Sequence, residues 1–127
     1  MDYGFYKEVD MDFDKVITKI EELAKKHSFG VLTRVNVDEK FKEKLGLDYK
    51  KYTILGLCNP KNAHKALEIE ENIGLMLPCN AVIYEKNNKT AVAVIKPSKM
   101  LKLAGNNKLV KISEKIEKEL KNIIKEL

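Results

Sequence analysis

Hydrophobic and polar positions along this chain follow two periods, and the switches between them mark the elements. Tyr3, Phe5 and Val9 share one side of an extended Tyr3–Val9 segment, with Tyr6 and Glu8 on the other, which predicts a first strand. Phe13, Val16, Ile17, Ile20, Leu23 and Ala24 then recur at intervals of three and four, opposite Lys15, Lys19, Glu22 and Lys26. That spacing predicts a helix with one face on a core, capped by Asp10 or Asp12. His27 suits the negative pole at its end and reads as an exposed helix-end residue. Alternation returns over Phe29–Val37, with Phe29, Val31, Thr33, Val35 and Val37 facing one way and Leu32, Arg34 and Asn36 the other, as in a strand with one wet face.

Glu39–Leu45 reads as a short helix stopped by Gly46, and Tyr52–Cys58 as a buried third strand whose Gly56 marks a bend, a bulge or a close approach. Asn59-Pro60 is a sharp helix start, because asparagine caps well and proline lacks only an amide that would go unpaired. Ala63, Ala66, Leu67 and Glu70 share a face of this helix; Asn72 and Gly74 end it, and Ile73, Leu75 and Leu77 fasten the return. Asn80–Lys86 and Lys89–Lys96 are two strands joined by Asn87-Asn88, a pair that tolerates the positive φ of a two-residue hairpin turn. On the second of them Ala91, Ala93 and Ile95 face one way and Thr90, Val92 and Val94 the other. After Pro97 comes a helical turn, Ser98–Ala104, and after Gly105 a last helix capped by Asn106 or Asn107. Its stripe of Leu109, Ile112, Ile116, Leu120, Ile123, Ile124 and Leu127 predicts a helix lying on the sheet. The expected architecture is α+β: one domain with a two-layer antiparallel sheet of about five strands and helices on one face. A ferredoxin-like split arrangement is the alternative.

Composition changes this picture little. The net charge is +5, from 24 basic and 19 acidic residues, but Arg34 is the single arginine. Nucleic-acid interfaces lean on arginine, so the lysines interleaved with glutamates read as a solvated surface and nucleic-acid binding is disfavoured. Lysine and glutamate enrichment is a signal of a heat-loving archaeon or bacterium, although ten asparagines argue the other way. MDYGFYKEVD is acidic and unlike a signal peptide, and no apolar run approaches the ~20 residues that span a bilayer. The expectation is a cytoplasmic protein, away from membranes, with its two cysteines as thiols.

Candidate chemistry gathers in Leu57–Asn80, which holds both cysteines, two of the three prolines and one of the two histidines. Cys58 precedes a helix cap, where the positive helix pole would favour a thiolate, and Cys79 follows a proline at a strand entry. Two such sulfurs serve redox pairing, nucleophilic chemistry or metal binding if they meet, and small-hydrophobe packing if they do not. The C-x20-C spacing is not that of a zinc site, so no metal is assigned. His64 could act as a base or a further ligand, with a solvated helix residue as the plainer reading. There is no glycine-rich phosphate loop, no G-x-S-x-G and no H-E-x-x-H, so no catalytic residue is assigned, no cofactor follows, and the expectation leans against an enzyme.

Cys58-Asn59-Pro60 with Ala63, the run Ile73–Asn80 (IGLMLPCN) and the following AVIYE strand resemble the family catalogued as domain of unknown function 302. The resemblance extends to the first helix, the Phe29–Val37 strand and the closing helix. It implies a TATA-binding-protein-like order, strand-helix-four strands-helix, and a homodimer; DNA binding does not follow from a shared fold. The resulting expectation is a homodimeric module that binds an unknown small molecule near Cys58, Asn59, Pro60, His64, Pro78, Cys79 and Asn80, between sheet and helices. A thiol-dependent redox or sulfur-handling protein using Cys58 or Cys79 is the alternative.

Overall fold

In the computed structural model, which describes residues 1–127, five strands form: β1 (Gly4–Val9), β2 (Gly30–Asn36), β3 (Tyr52–Cys58), β4 (Cys79–Lys86) and β5 (Lys89–Ile95). They make one antiparallel sheet in the order β1-β5-β4-β3-β2. The chain thus crosses once from one edge to the other and then returns as a meander of neighbours. A split β-α-β arrangement would need a second crossover, and the ferredoxin-like alternative is not realised. The crossover is α1 (Phe13–Lys26). The other helices are α2 (Val37–Leu45), α3 (Pro60–Ile69), α4 (Pro97–Leu101) and α5 (Val110–Glu126).

The α1 and α5 stripes lie on the same face of the sheet. Val16, Ile17 and Ile20 of α1 and Ile116, Leu120 and Ile123 of α5 meet Leu55, Leu57, Ala81, Ile83, Val92 and Val94 in one buried cluster. Each large side chain there contributes about 1.5–3 kcal/mol by leaving water. A smaller cluster of Ala66, Ile73, Leu101 and Leu109 fastens α3, the 3-10 segment Glu71–Met76 and α4 to the start of α5. The other face of the sheet carries no helix from α1 or α5 and stays open.

Local chemistry explains most of the boundaries. Asn59 Oδ1 accepts from the Asn62 amide at 3.1 Å, and Pro60 occupies the first position of α3. Asn87 and Asn88 turn the β4–β5 hairpin with φ of 48° and 65°. Asn106 Oδ1 accepts from Lys108 N in the short 3-10 turn that leads into α5. Four local expectations need correction. Asp12 stands at the start of α1 but makes no side-chain cap bond. The buried face of α3 is Asn62 and Ala66, with Leu67 exposed, and Leu75 projects into solvent at 89% exposure rather than fastening the return. In β2 a bulge between Val31 and Thr33 breaks the alternation. Val31 pairs with Leu57 on the covered side, whereas Thr33 and Val35 pair with Gly56 and Ile54 on the open side. One extra residue in a strand reverses every side chain beyond it.

Candidate functional site

The strand-helix-strand unit β3-α3-β4 carries every candidate residue, but the sheet divides them between its two faces. Cys79 pairs with Leu57, both on the covered face, and Cys79 is 3% exposed within the main core. Cys58 is one residue beyond Leu57, so strand alternation turns it the other way. The sulfurs therefore sit on adjacent strands but opposite faces, and both are free thiols. Burial, and then the neighbouring Cys58, push the Cys79 thiol up to about 12, and burial also raises Cys58. The thiolate that a helix start would favour is thus opposed by desolvation, which disfavours the charged form. The space between sheet and helices beside Cys79 is packed with core side chains.

Pro78 follows a cis peptide bond from Leu77. Its ring lies against Gly56, where an added Cβ would come within 2.6 Å of Pro78 Cγ and collide with the Thr33 hydroxyl. Gly56 is therefore a close-approach glycine on the open face, with Pro78 and Thr33 set against it. Asn80 pairs with Gly56 and also faces the open side. His64 lies on the solvent side of α3, 3.4 Å from Glu68, away from the other candidates. Asn59 and Pro60 line a separate cavity at the start of α3. The site residues therefore split into an open-face group, Pro78 and Asn80, and a helix-start group, Asn59 and Pro60.

The open face has a centre that the sequence reading did not single out. Tyr52 and Tyr84, directly paired across β3 and β4, stack with centroids 5.3 Å apart and rings 9° from parallel. Lys50 Nζ stands 4.8 Å from the Tyr84 centroid. Beside them a hollow of about 320 Å³ is bounded by Tyr3, Asn80, Val82, Tyr84, Ala93 and Ile95. Burial, and then Tyr84, raise the Tyr52 phenol, which keeps it a neutral donor. At the rim, Tyr6 donates to Glu8 at 2.9 Å and accepts from Lys86 at 3.3 Å. The available signal was register: once the Asn87-Asn88 hairpin sets β4 against β5, alternate β4 residues Asn80, Val82, Tyr84 and Lys86 must share the open side.

His27 was also missed. It is half enclosed between α1 and α5, with Nδ1 2.8 Å from Glu119 and Nε2 bound to Glu126. Glu119 and Glu126 are seven residues apart, two turns on one face of the last helix, which was the signal for a clamp. No three His, Cys, Asp or Glu side chains gather as a metal site. No helix is long and apolar enough to cross a membrane.

Comparison with known proteins bears on the whole chain. The family model described as domain of unknown function DUF302 matches residues 5–127. The chain belongs to the DUF302 family. It is similar to the crystal structure of an uncharacterized conserved DUF302 protein from Bacillus stearothermophilus, with a TM-score of 0.90 and 32% identity over 97% of this chain and 96% of that one. No curated protein matches. The DUF302 fold is thereby fixed from β1 to α5.

Proposed function

We propose that this DUF302 protein is a binding module that associates with a second copy of itself through the open sheet face. The tyrosine-edged hollow on that face would hold a small, largely apolar or aromatic molecule. The observation that carries this reading is the open face itself. It presents Val35, Ile54, Val82, Ala93 and a stacked tyrosine pair, without a helix layer to cover them. Apolar patches of that kind mark interaction sites, and tyrosine supplies apolar area with a polar tip.

The occupant follows from charge. Glu8 and Lys86 lie 3.9 Å apart at the rim and balance each other, so two copies of the face do not repel. A two-fold pair presents the same patch from both sides, and a self-balanced patch suits it. A nucleic acid would require rows of unpaired cations, whereas the centre of this face holds Lys50 alone. The hollow is at the small end of ligand pockets and open to solvent, and a second copy would close it. Two free thiols held on opposite faces of the sheet support a cytoplasmic setting.

Sedimentation equilibrium tests the reading. The protein should dimerise with a Kd of about 1 µM or tighter, and Tyr84→Glu should be monomeric with near-normal melting. A neutral probe, N-phenylnaphthylamine, should fluoresce with the dimer and lose its signal in Val82→Glu. A wild-type protein that stays monomeric at about 100 µM would overturn the proposal.

A further inference from the structure

A second cavity, of about 700 Å³, lies in the helix layer where the end of α1, the start of α3 and the middle of α5 converge. Asn62 lines it. This residue is 8% exposed, and its backbone amide is taken by Asn59 Oδ1, but its side-chain amide has no hydrogen-bond partner in the protein. Its polar atoms are not sealed off, so the cavity is where a partner would come from.

The surroundings select the sign of that partner. Lys61, Lys115 and Lys118 line the cavity and have no carboxylate within ion-pair distance. The carboxylates nearby are already engaged: Glu119 holds His27 Nδ1, while Glu126 holds His27 Nε2 and, at 2.6 Å, Lys26. The ten-residue α3 directs its positive pole here. Pro60 has no amide hydrogen, and Asn59 takes the amides of Asn62 and Ala63. That leaves the Lys61 amide as a first-turn donor.

We propose that this cavity binds an oxyanion with more than one negative charge, of the phosphate or pyrophosphate type, either free or as the terminal group of a small organic phosphate. The Asn62 amide donates to it, and Lys61, Lys115 and Lys118 supply the compensating charge. A metal cation does not suit the cavity, because its neighbouring carboxylates are consumed by His27 and Lys26.

The test is nitrogen-15 NMR titration of the full chain at constant ionic strength with phosphate, pyrophosphate and glycerol phosphate in separate arms. Pyrophosphate should shift the Asn62 side-chain amide saturably with a Kd of about 1 mM or below. Stronger binding of glycerol phosphate than of phosphate would assign the site to organic phosphates; the reverse order would assign it to the free ion. Lys118→Glu, at an exposed position, should weaken binding about tenfold or more, while Lys65→Glu on the solvent side of α3 should change it less than about twofold. The monomeric Tyr84→Glu protein should bind pyrophosphate as the wild type does, which separates this site from the dimer reading. No saturable shift at Asn62 up to about 10 mM, or equal weakening by Lys65→Glu and Lys118→Glu, would overturn the proposal.

Discussion

The two faces of this sheet are made from the same strands, residue by residue in alternation, yet they are chemically different surfaces. The covered face is aliphatic: Leu55, Leu57, Ile83 and Val92 are all fully buried under α1 and α5. The open face is built from tyrosines, small residues and a balanced Lys86–Glu8 pair, and Tyr6 and Val35 remain exposed. Aliphatic side chains have nothing to offer water and must be packed by the fold itself. Tyrosine tolerates water through its hydroxyl and still gains from burial, so a tyrosine face can wait for a partner. One face is thus covered by the fold itself and the other is left open.

The largest expected effect separates neighbours on β4. Ile83→Ala opens a cavity in the covered core and should cost about 3 kcal/mol in urea unfolding. Val82→Ala, one residue earlier and on the open face, should cost less than about 1 kcal/mol at dilute, monomeric concentrations. Its effect should instead grow with protein concentration if the face is an interface. Equal, concentration-independent losses would erase the distinction between the faces.

The cysteines sharpen the same comparison at smaller scale. Cys79 belongs to the covered face and should react with a thiol reagent only when the sheet opens. Cys58, less buried at the open-side end of β3, should react at least about tenfold faster in the native protein. Since burial raises both thiols, both rates should keep rising as pH increases through and beyond the ordinary thiol range. Equal native rates at pH 7 would contradict the opposite-face placement.

The covered face was legible in the sequence because burial imposes a pattern. The α1 and α5 stripes, the Asn59-Pro60 start and the Asn87-Asn88 turn all follow from spacing or local φ preference. The close approach at Gly56 was legible as one of three readings, but Pro78 as the group that meets it was not. What escaped depends on contacts between distant segments. The bulge in β2 is invisible until β3 sets the register, so Val35 is read on the wrong face. The Tyr52–Tyr84 stack needs the β3–β4 pairing, and the His27 clamp needs α1 to lie beside α5. The central stretch holds both cysteines, but alternation across a sheet sends Cys58 and Cys79 apart, which twenty intervening residues could not disclose.

The smallest expected effect is electrostatic and belongs to the layer that covers the core. The bond to Glu126, with that to Glu119, holds the His27 imidazole above its ordinary pKa despite partial burial. A group whose pKa is raised by folding stabilises the folded state in full below its unfolded value, and that contribution disappears as pH rises through the folded value. Melting temperature should therefore decline by a few degrees from about pH 6 to alkaline pH, and His27→Gln should flatten the decline. Glu126 works in the opposite direction, since Lys26 and then His27 hold its carboxyl below the usual range. Its contribution is present above the ordinary carboxylate pKa and lost as pH falls through the lowered value. Glu126→Gln should accordingly lower stability at neutral pH and flatten the fall on the acid side, and should also reduce the alkaline decline by lowering the His27 pKa. Unchanged pH profiles in both variants would mean that α1 and α5 are held together by their apolar stripes alone, and that the covered layer, like the face beneath it, owes its stability to packing.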